Sequence, residues 1–131
     1  MHKWGIFIIS FLLVFTFHPC AYSSQNESPV KIAVAADGNT QDADVAGQGA
    51  RGDWFLFFNA DGEMVDASEN PYKNERGGAG VNCADYLARK DTTMFIAGNI
   101  GPKMRDALSS HGIDFSSFSG TAKDAVAEAL K

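Results

Sequence analysis

The chain is poor in the residues that usually hold soft metals. Its 131 residues include only two cysteines and three histidines. Cys20, His2 and His18 all lie near the start, so a chain cut beyond them keeps Cys83 and His111 alone. One cysteine cannot close an internal disulfide, so an oxidising compartment gives this chain no covalent staple. Long hydrophobic runs are also missing. The apolar run from Gly5 to Phe17 is too short to span a bilayer. Positive charge is scarce, with 11 Lys and Arg against 16 Asp and Glu and a net charge of −5. Such a surface argues against nucleic acid or an anionic membrane as the main partner. No internal repeat marks a second domain, and the length suits one domain with a modest core.

The start of the chain reads as a leader. Met1-His2-Lys3 is positive, the apolar run follows, and Ala21-Tyr22-Ser23 fits the small-x-small cleavage rule. Residues 1–23 are therefore expected to be a signal peptide cut after Ser23, which places the mature protein in the periplasm or outside the cell. A lipoprotein would use Cys20, but Phe17-His18-Pro19 lacks the small residues expected before it. Loss of Lys3 moves the net charge from −5 to −6. Residues 24–29 are polar and read as a flexible tether. Residues 30–131 form the domain.

The stretch that organises this domain is Thr93 to Met104. Phe95-Ile96-Ala97 is a short apolar run, as in a strand buried on both faces. Gly98 and Gly101 supply a turn, and Pro102 suits the first position of a helix. That helix carries Met104, Ala107, Leu108 and His111 on one face and stops at Gly112. Before it, Val30 to Ala36 is a second buried strand, followed by a loop of small and polar residues from Asn39 to Gly52 with no apolar period. A loop of this length suggests a functional or mobile role. Trp54 to Phe58 and Glu63 to Ser68 form a hairpin around Asn59-Ala60-Asp61-Gly62. Glu69 to Gly80 is a second polar loop. Val81, Ala84, Leu87 and Ala88 mark a helix face ending near Lys90. Ile113 to Phe118 is a last strand. Thr121 caps a final helix with Asp124 in capping-box position and a stripe of Ala122, Ala125, Val126, Ala129 and Leu130. The hairpin demands antiparallel pairing and the strand–helix units demand parallel crossovers. A mixed five-stranded sheet with helices on both faces satisfies both.

Six pieces of this chain, in order, resemble the dinitrogenase iron–molybdenum cofactor biosynthesis domain. They are Lys31-Ile32-Ala33-Val34-Ala35-Ala36-Asp37-Gly38, the segment Val45…Arg51…Trp54-Phe55, Glu69-Asn70-Pro71, Gly78-Ala79-Gly80, Ile96 to Pro102, and Ser119-Gly120-Thr121. The resemblance covers residues 30–130. It implies a ribonuclease-H-like α/β/α fold and a non-enzymatic protein that carries or inserts the nitrogenase cofactor, or another iron–sulfur or molybdenum-containing cluster. It also implies histidines in the first loop and before Gly-Ala-Gly, where this chain has Gln48 and Gly77. An amide is a poor substitute for imidazole as a metal ligand.

The remaining chemistry is limited and ambiguous. Cys83 follows the second glycine loop, where a helix N-terminus would favour thiolate and metal binding; free cysteine is also commonly a small core residue. Arg51 between glycines can pair with an anion or stand solvated. His111 is expected to cap helix carbonyls. Asp37, Asp42, Asp44 and Asp53 crowd the first loop, but no base or basic groove accompanies them to support metal-dependent hydrolysis. Both glycine loops should reach helix N-termini at the ligand-binding edge of the sheet, where N–H groups favour anions. Gly78, Ala79, Gly80, Gly98, Asn99, Gly101 and Arg51 are therefore the expected anion-binding residues, with Cys83 as the candidate metal ligand. The expected ligand is an anionic metal–sulfur cluster or an oxyanion. A partner protein is the competing expectation, in a module that kept the fold and lost the ligand.

Overall fold

The computed structural model describes residues 29–131, so the leader and most of the tether lie outside the described residues. Eight elements follow in the order β1 (Ile32–Ala36), β2 (Trp54–Phe58), β3 (Met64–Glu69), α1 (Ala79–Arg89), β4 (Met94–Ala97), α2 (Pro102–Ser110), β5 (Asp114–Ser117) and α3 (Ala122–Ala129). The five strands form one sheet in the order β3-β2-β1-β4-β5. β2 and β3 are the antiparallel hairpin; β1, β4 and β5 run parallel. The expected mixed sheet with helices on both faces is thus the observed one.

Strand alternation divides the core in two. Ala33, Ala35, Phe55, Phe57, Phe95 and Ala97 point to one face, where α1 and α2 bury Ala84, Leu87, Met104 and Leu108. Ile32, Val34, Leu56, Phe58 and Ile96 point to the other, against Ala122, Ala125 and Val126 of α3. This is why the apolar runs of β1, β2 and β4 show no alternation: both of their faces are covered. β3 lies at an edge and is far less buried. Beside a register shift at Phe57/Phe58, Asp66 Oδ1 accepts the N–H of its neighbour Ala67 at 2.8 Å.

α3 starts as expected, with the Thr121 hydroxyl accepting the N–H of Asp124 at 3.2 Å. α2 ends differently. The backbone N–H of His111 caps carbonyls of the last turn, and Gly112 follows at a φ of 71°. The His111 ring, expected to do that capping, instead pairs through Nε2 with Asp85 Oδ1 of α1 at 2.7 Å. It stands outside the buried face formed by Met104 and Leu108.

The first loop is also more fixed than its composition suggests. Val45 bridges Ala36 and Asp44 bridges Thr121. Ala46 N–H bonds Ala35 O at 2.7 Å, Gly98 N–H bonds Ala46 O at 2.8 Å, and Gly49 N–H bonds Asn99 O at 2.8 Å. The loop is stitched across the C-terminal ends of β1 and β4. These are backbone bonds, which leave no apolar period in the sequence.

Candidate anion-binding pocket

The pocket lies at that end of the sheet, on the face covered by α1 and α2. It is an open cleft of about 570 Å³, lined by the first loop (Gln48–Arg51), the glycine loop (Gly77–Gly80) and the start of α2 (Asn99, Gly101–Met104). Two helices begin here. Gly78 precedes α1 and Gly101 precedes α2; neither N-terminus has a side-chain cap or an acidic residue in its first turn. Uncapped N–H groups at both starts therefore carry partial positive charge, with no acidic residue in either first turn.

Gly80 explains why the two helix starts lie together. A Cβ there would sit 2.9 Å from Met104 Cβ and 3.4 Å from the Met104 backbone. Only the missing side chain lets α1 approach α2 this closely. Gly98 serves another close approach: a Cβ would stand 2.9 Å from Ala46 O, so the residue admits the first loop from behind the pocket. Of the expected anion-binding residues, Gly78, Ala79, Gly80, Asn99, Gly101 and Arg51 line the cleft, and Gly98 does not. Gln48 and Gly77, where the family resemblance implies histidine, both line it. Gly77 has a φ of 128°, open to glycine and strained for histidine.

Two expected roles change. Cys83 is the fifth residue of α1, one turn past the free N–H groups, and is fully buried beside Ala84 and Leu87. Its sulfur lies 3.6 Å from Asn70 Oδ1 and 3.8 Å from Ala50 O. Burial pushes the thiol up to about 12 from its ordinary 9.0, against a smaller lowering from the Asn70 hydrogen bond. The helix-dipole effect is confined to the first turn, so desolvation wins and Cys83 is a core thiol, not a pocket thiolate. Arg51 does line the cleft, but its Nη1 donates to Lys73 O at 2.8 Å and Glu75 O at 2.6 Å. It fastens the second loop as well as contributing charge.

Asn70 appears in the sequence only within the Glu69-Asn70-Pro71 piece of the resemblance, with no role assigned to it, although Asn-Pro is also a turn signal. It is only 3% exposed. Its Nδ2 donates to Ala50 O and Gly52 O, each at 3.0 Å, and its Oδ1 accepts the N–H of Tyr72 at 2.9 Å and faces the Cys83 thiol. The first-loop acids do not form a metal site. Asp53 pairs with Lys73 at 2.9 Å, and no three His, Cys, Asp or Glu residues converge among the described residues.

The cleft can thus offer an anion backbone N–H groups, the Lys103 ammonium, the Arg51 guanidinium and the Gln48 and Asn99 amides, with no carboxylate in the lining. It offers a metal ion neither imidazole nor thiolate.

Comparison with known proteins gives a consistent result. The family model for dinitrogenase iron-molybdenum cofactor matches residues 30–131. Among solved structures, the apo form of the orange protein from Desulfovibrio gigas is 29% identical, with a TM-score of 0.72, covering 76% of this chain and 86% of its own. A Thermotoga protein of the DUF35 family is 24% identical, with a TM-score of 0.65 and coverage of 77% and 90%. A candidate dinitrogenase from Methanocaldococcus jannaschii is 14% identical, with a TM-score of 0.56 and coverage of 78% and 88%. The last two speak to the fold alone. No curated protein matches. With its order of motifs, its sheet and its paired helix starts, the chain belongs to the dinitrogenase iron-molybdenum cofactor family.

Proposed function

We propose that this protein is an exported, non-catalytic carrier that holds an anionic metal–sulfur cluster or an oxyanion in the cleft between the starts of α1 and α2. One observation carries the reading: two uncapped helix N-termini, Lys103 and Arg51 share a cleft with no lining carboxylate, in a chain of net charge −5. Concentrated positive potential on an acidic protein is a recognition feature, because solubility alone gives no reason for it. Each N–H contact to an anion is modest, and several converging ones are needed.

The donor set defines how such a cargo is held. Sulfide or oxo groups of a cluster accept hydrogen bonds from N–H, ammonium and amide groups. Direct metal–nitrogen or metal–thiolate bonds do not fit this lining, since Cys83 is in the core and His111 is on the outer helix surface. That same lack favours a second reading, a protein-interaction module of this fold that binds no cluster.

Tetrathiomolybdate, a tetrahedral dianion, separates the two. The protein should retain it through a desalting column under anaerobic conditions, and Lys103→Glu should abolish retention by placing a carboxylate in the cleft. Failure of the wild type to retain it, together with a metal-free protein from the native source, would leave the interaction module as the better account. Export is tested separately: the intact mass should begin at Ser24, and a chain still carrying Met1 would refute it.

A further inference from the structure

Four hydrogen-bonding positions exist on an asparagine side chain, two donors and two acceptor lone pairs. At Asn70 all four are engaged, and each contact goes to pocket architecture. The donors hold Ala50 O and Gly52 O of the first loop, on either side of Arg51. The acceptor holds Tyr72 N–H of the second loop and receives the Cys83 thiol of α1. Arg51 crosses back in the other direction, from the first loop to Lys73 O and Glu75 O of the second. Lys73 and Asp53 tie the same two loops by an ion pair at 2.9 Å, and Asn82 of α1 holds Glu75 at 2.6 Å. The two loops and the start of α1 are thus fastened at one buried amide that does not itself line the cleft.

We propose that Asn70 is the positioning residue of the pocket: its buried carboxamide fixes the spacing between the Gln48–Arg51 wall and the glycine loop that opens α1, and so sets anion affinity without touching the anion. Ala50 and Arg51 belong to one wall, and Cys83 lies one turn below Ala79 in the other. A side chain that lets go of Ala50 O and Gly52 O frees the first wall. Losing Tyr72 N–H frees the second loop that leads into Gly77 and Gly78. The neighbouring charges on these elements, Arg51, Asp53, Lys73 and Glu75, are exposed or half-buried, and hold the loops only from outside.

This inference rests on the proposed cleft, and its test keeps the two apart. Asn70→Asp is isosteric but sets a carboxylate against two carbonyl oxygens and removes both donors. Equilibrium dialysis with tetrathiomolybdate should show at least tenfold weaker binding. Val126→Ala, a core change in α3 on the far face of the sheet, supplies a destabilised control with wild-type affinity. Hydrogen exchange read by mass spectrometry should show segments 48–52 and 72–80 of Asn70→Asp exchanging faster together, with β1 and β4 unchanged. Asn70→Ser keeps one donor; it should show the same pattern at smaller amplitude and serves if Asn70→Asp does not fold. Affinity within twofold of the wild type, or faster exchange in one wall only, would overturn the proposal. A wild type that binds no tetrathiomolybdate would count against the cleft's cargo, and the exchange pattern would still decide whether Asn70 holds the walls.

Discussion

Replacing Gly80 by alanine sets two effects of opposite sign against each other. Gly80 is the second residue of α1, with Cβ space occupied by Met104. Alanine in a helix interior is favoured over glycine by about 0.5–1 kcal/mol, and less at an end. Against this stands a contact of 2.9 Å with Met104 Cβ and 3.4 Å with Met104 N and Cα. These atoms belong to the backbone and to its first side-chain carbon, so no rotamer change relieves the clash. Overpacking of this kind costs about 1–3 kcal/mol. The clash therefore wins, and Gly80→Ala should destabilise by roughly 1–2 kcal/mol. It should also push the start of α1 away from α2, widening the cleft and weakening anion binding. Gly101→Ala is the matched control: its φ is −64° and nothing lies within 4 Å of its Cβ position. Urea melts of both variants measure the difference. A Gly80→Ala protein as stable as the wild type or more so would refute the close approach of the helix starts.

Ile96→Ala removes a side chain 1% exposed, packed between the sheet and α3, and should cost about 2–5 kcal/mol in a denaturant melt. A loss under about 1 kcal/mol would fit only a surface position. Thr121→Ala removes the α3 cap and should cost about 0.5–2 kcal/mol by the same assay. For Cys83, the folded thiol is raised to about 12 from 9.0, so the folded state keeps a proton that the unfolded state loses above pH 9. The stability from this group is complete below pH 9 and declines as pH rises toward about 12. Subtracting the pH profile of Cys83→Ala isolates it from other titrations; identical slopes in the two proteins over that range would refute the burial argument.

The elements that carry apolar runs were legible in the sequence because burial on both faces writes itself as composition. The strand at Phe95 to Ala97, the turn after it and the proline that opens α2 appear where the residues place them. The capping pattern at Thr121 is equally local. What the sequence concealed were interactions between backbone groups and between distant loops. The first loop owes its order to carbonyls and N–H groups, which every residue has. For Cys83 the sequence left a metal ligand and a core residue both open; α1 begins at Ala79, and the buried spacing Ala79, Cys83, Ala84, Leu87 puts the thiol inside. Asn70 showed only as part of the Glu69-Asn70-Pro71 piece, without a role, since its partners at Ala50 and Gly52 lie about twenty positions away. The pocket was half legible: its glycines were visible, but the reason for Gly80 lies in Met104.

The carboxylate that Asp66 turns onto the N–H of Ala67 has a consequence for life at high concentration. β3 is an outer strand, and its residues Met64 and Val65 are 37% and 56% exposed. An open strand with apolar flanks invites a stray chain to zip on and begin a fibril. Here one of the donors such a chain needs is already engaged by a negative charge, close to an irregularity that bends the strand. Without a disulfide to tie it, this domain's resistance to self-templating rests partly on a single aspartate at its rim.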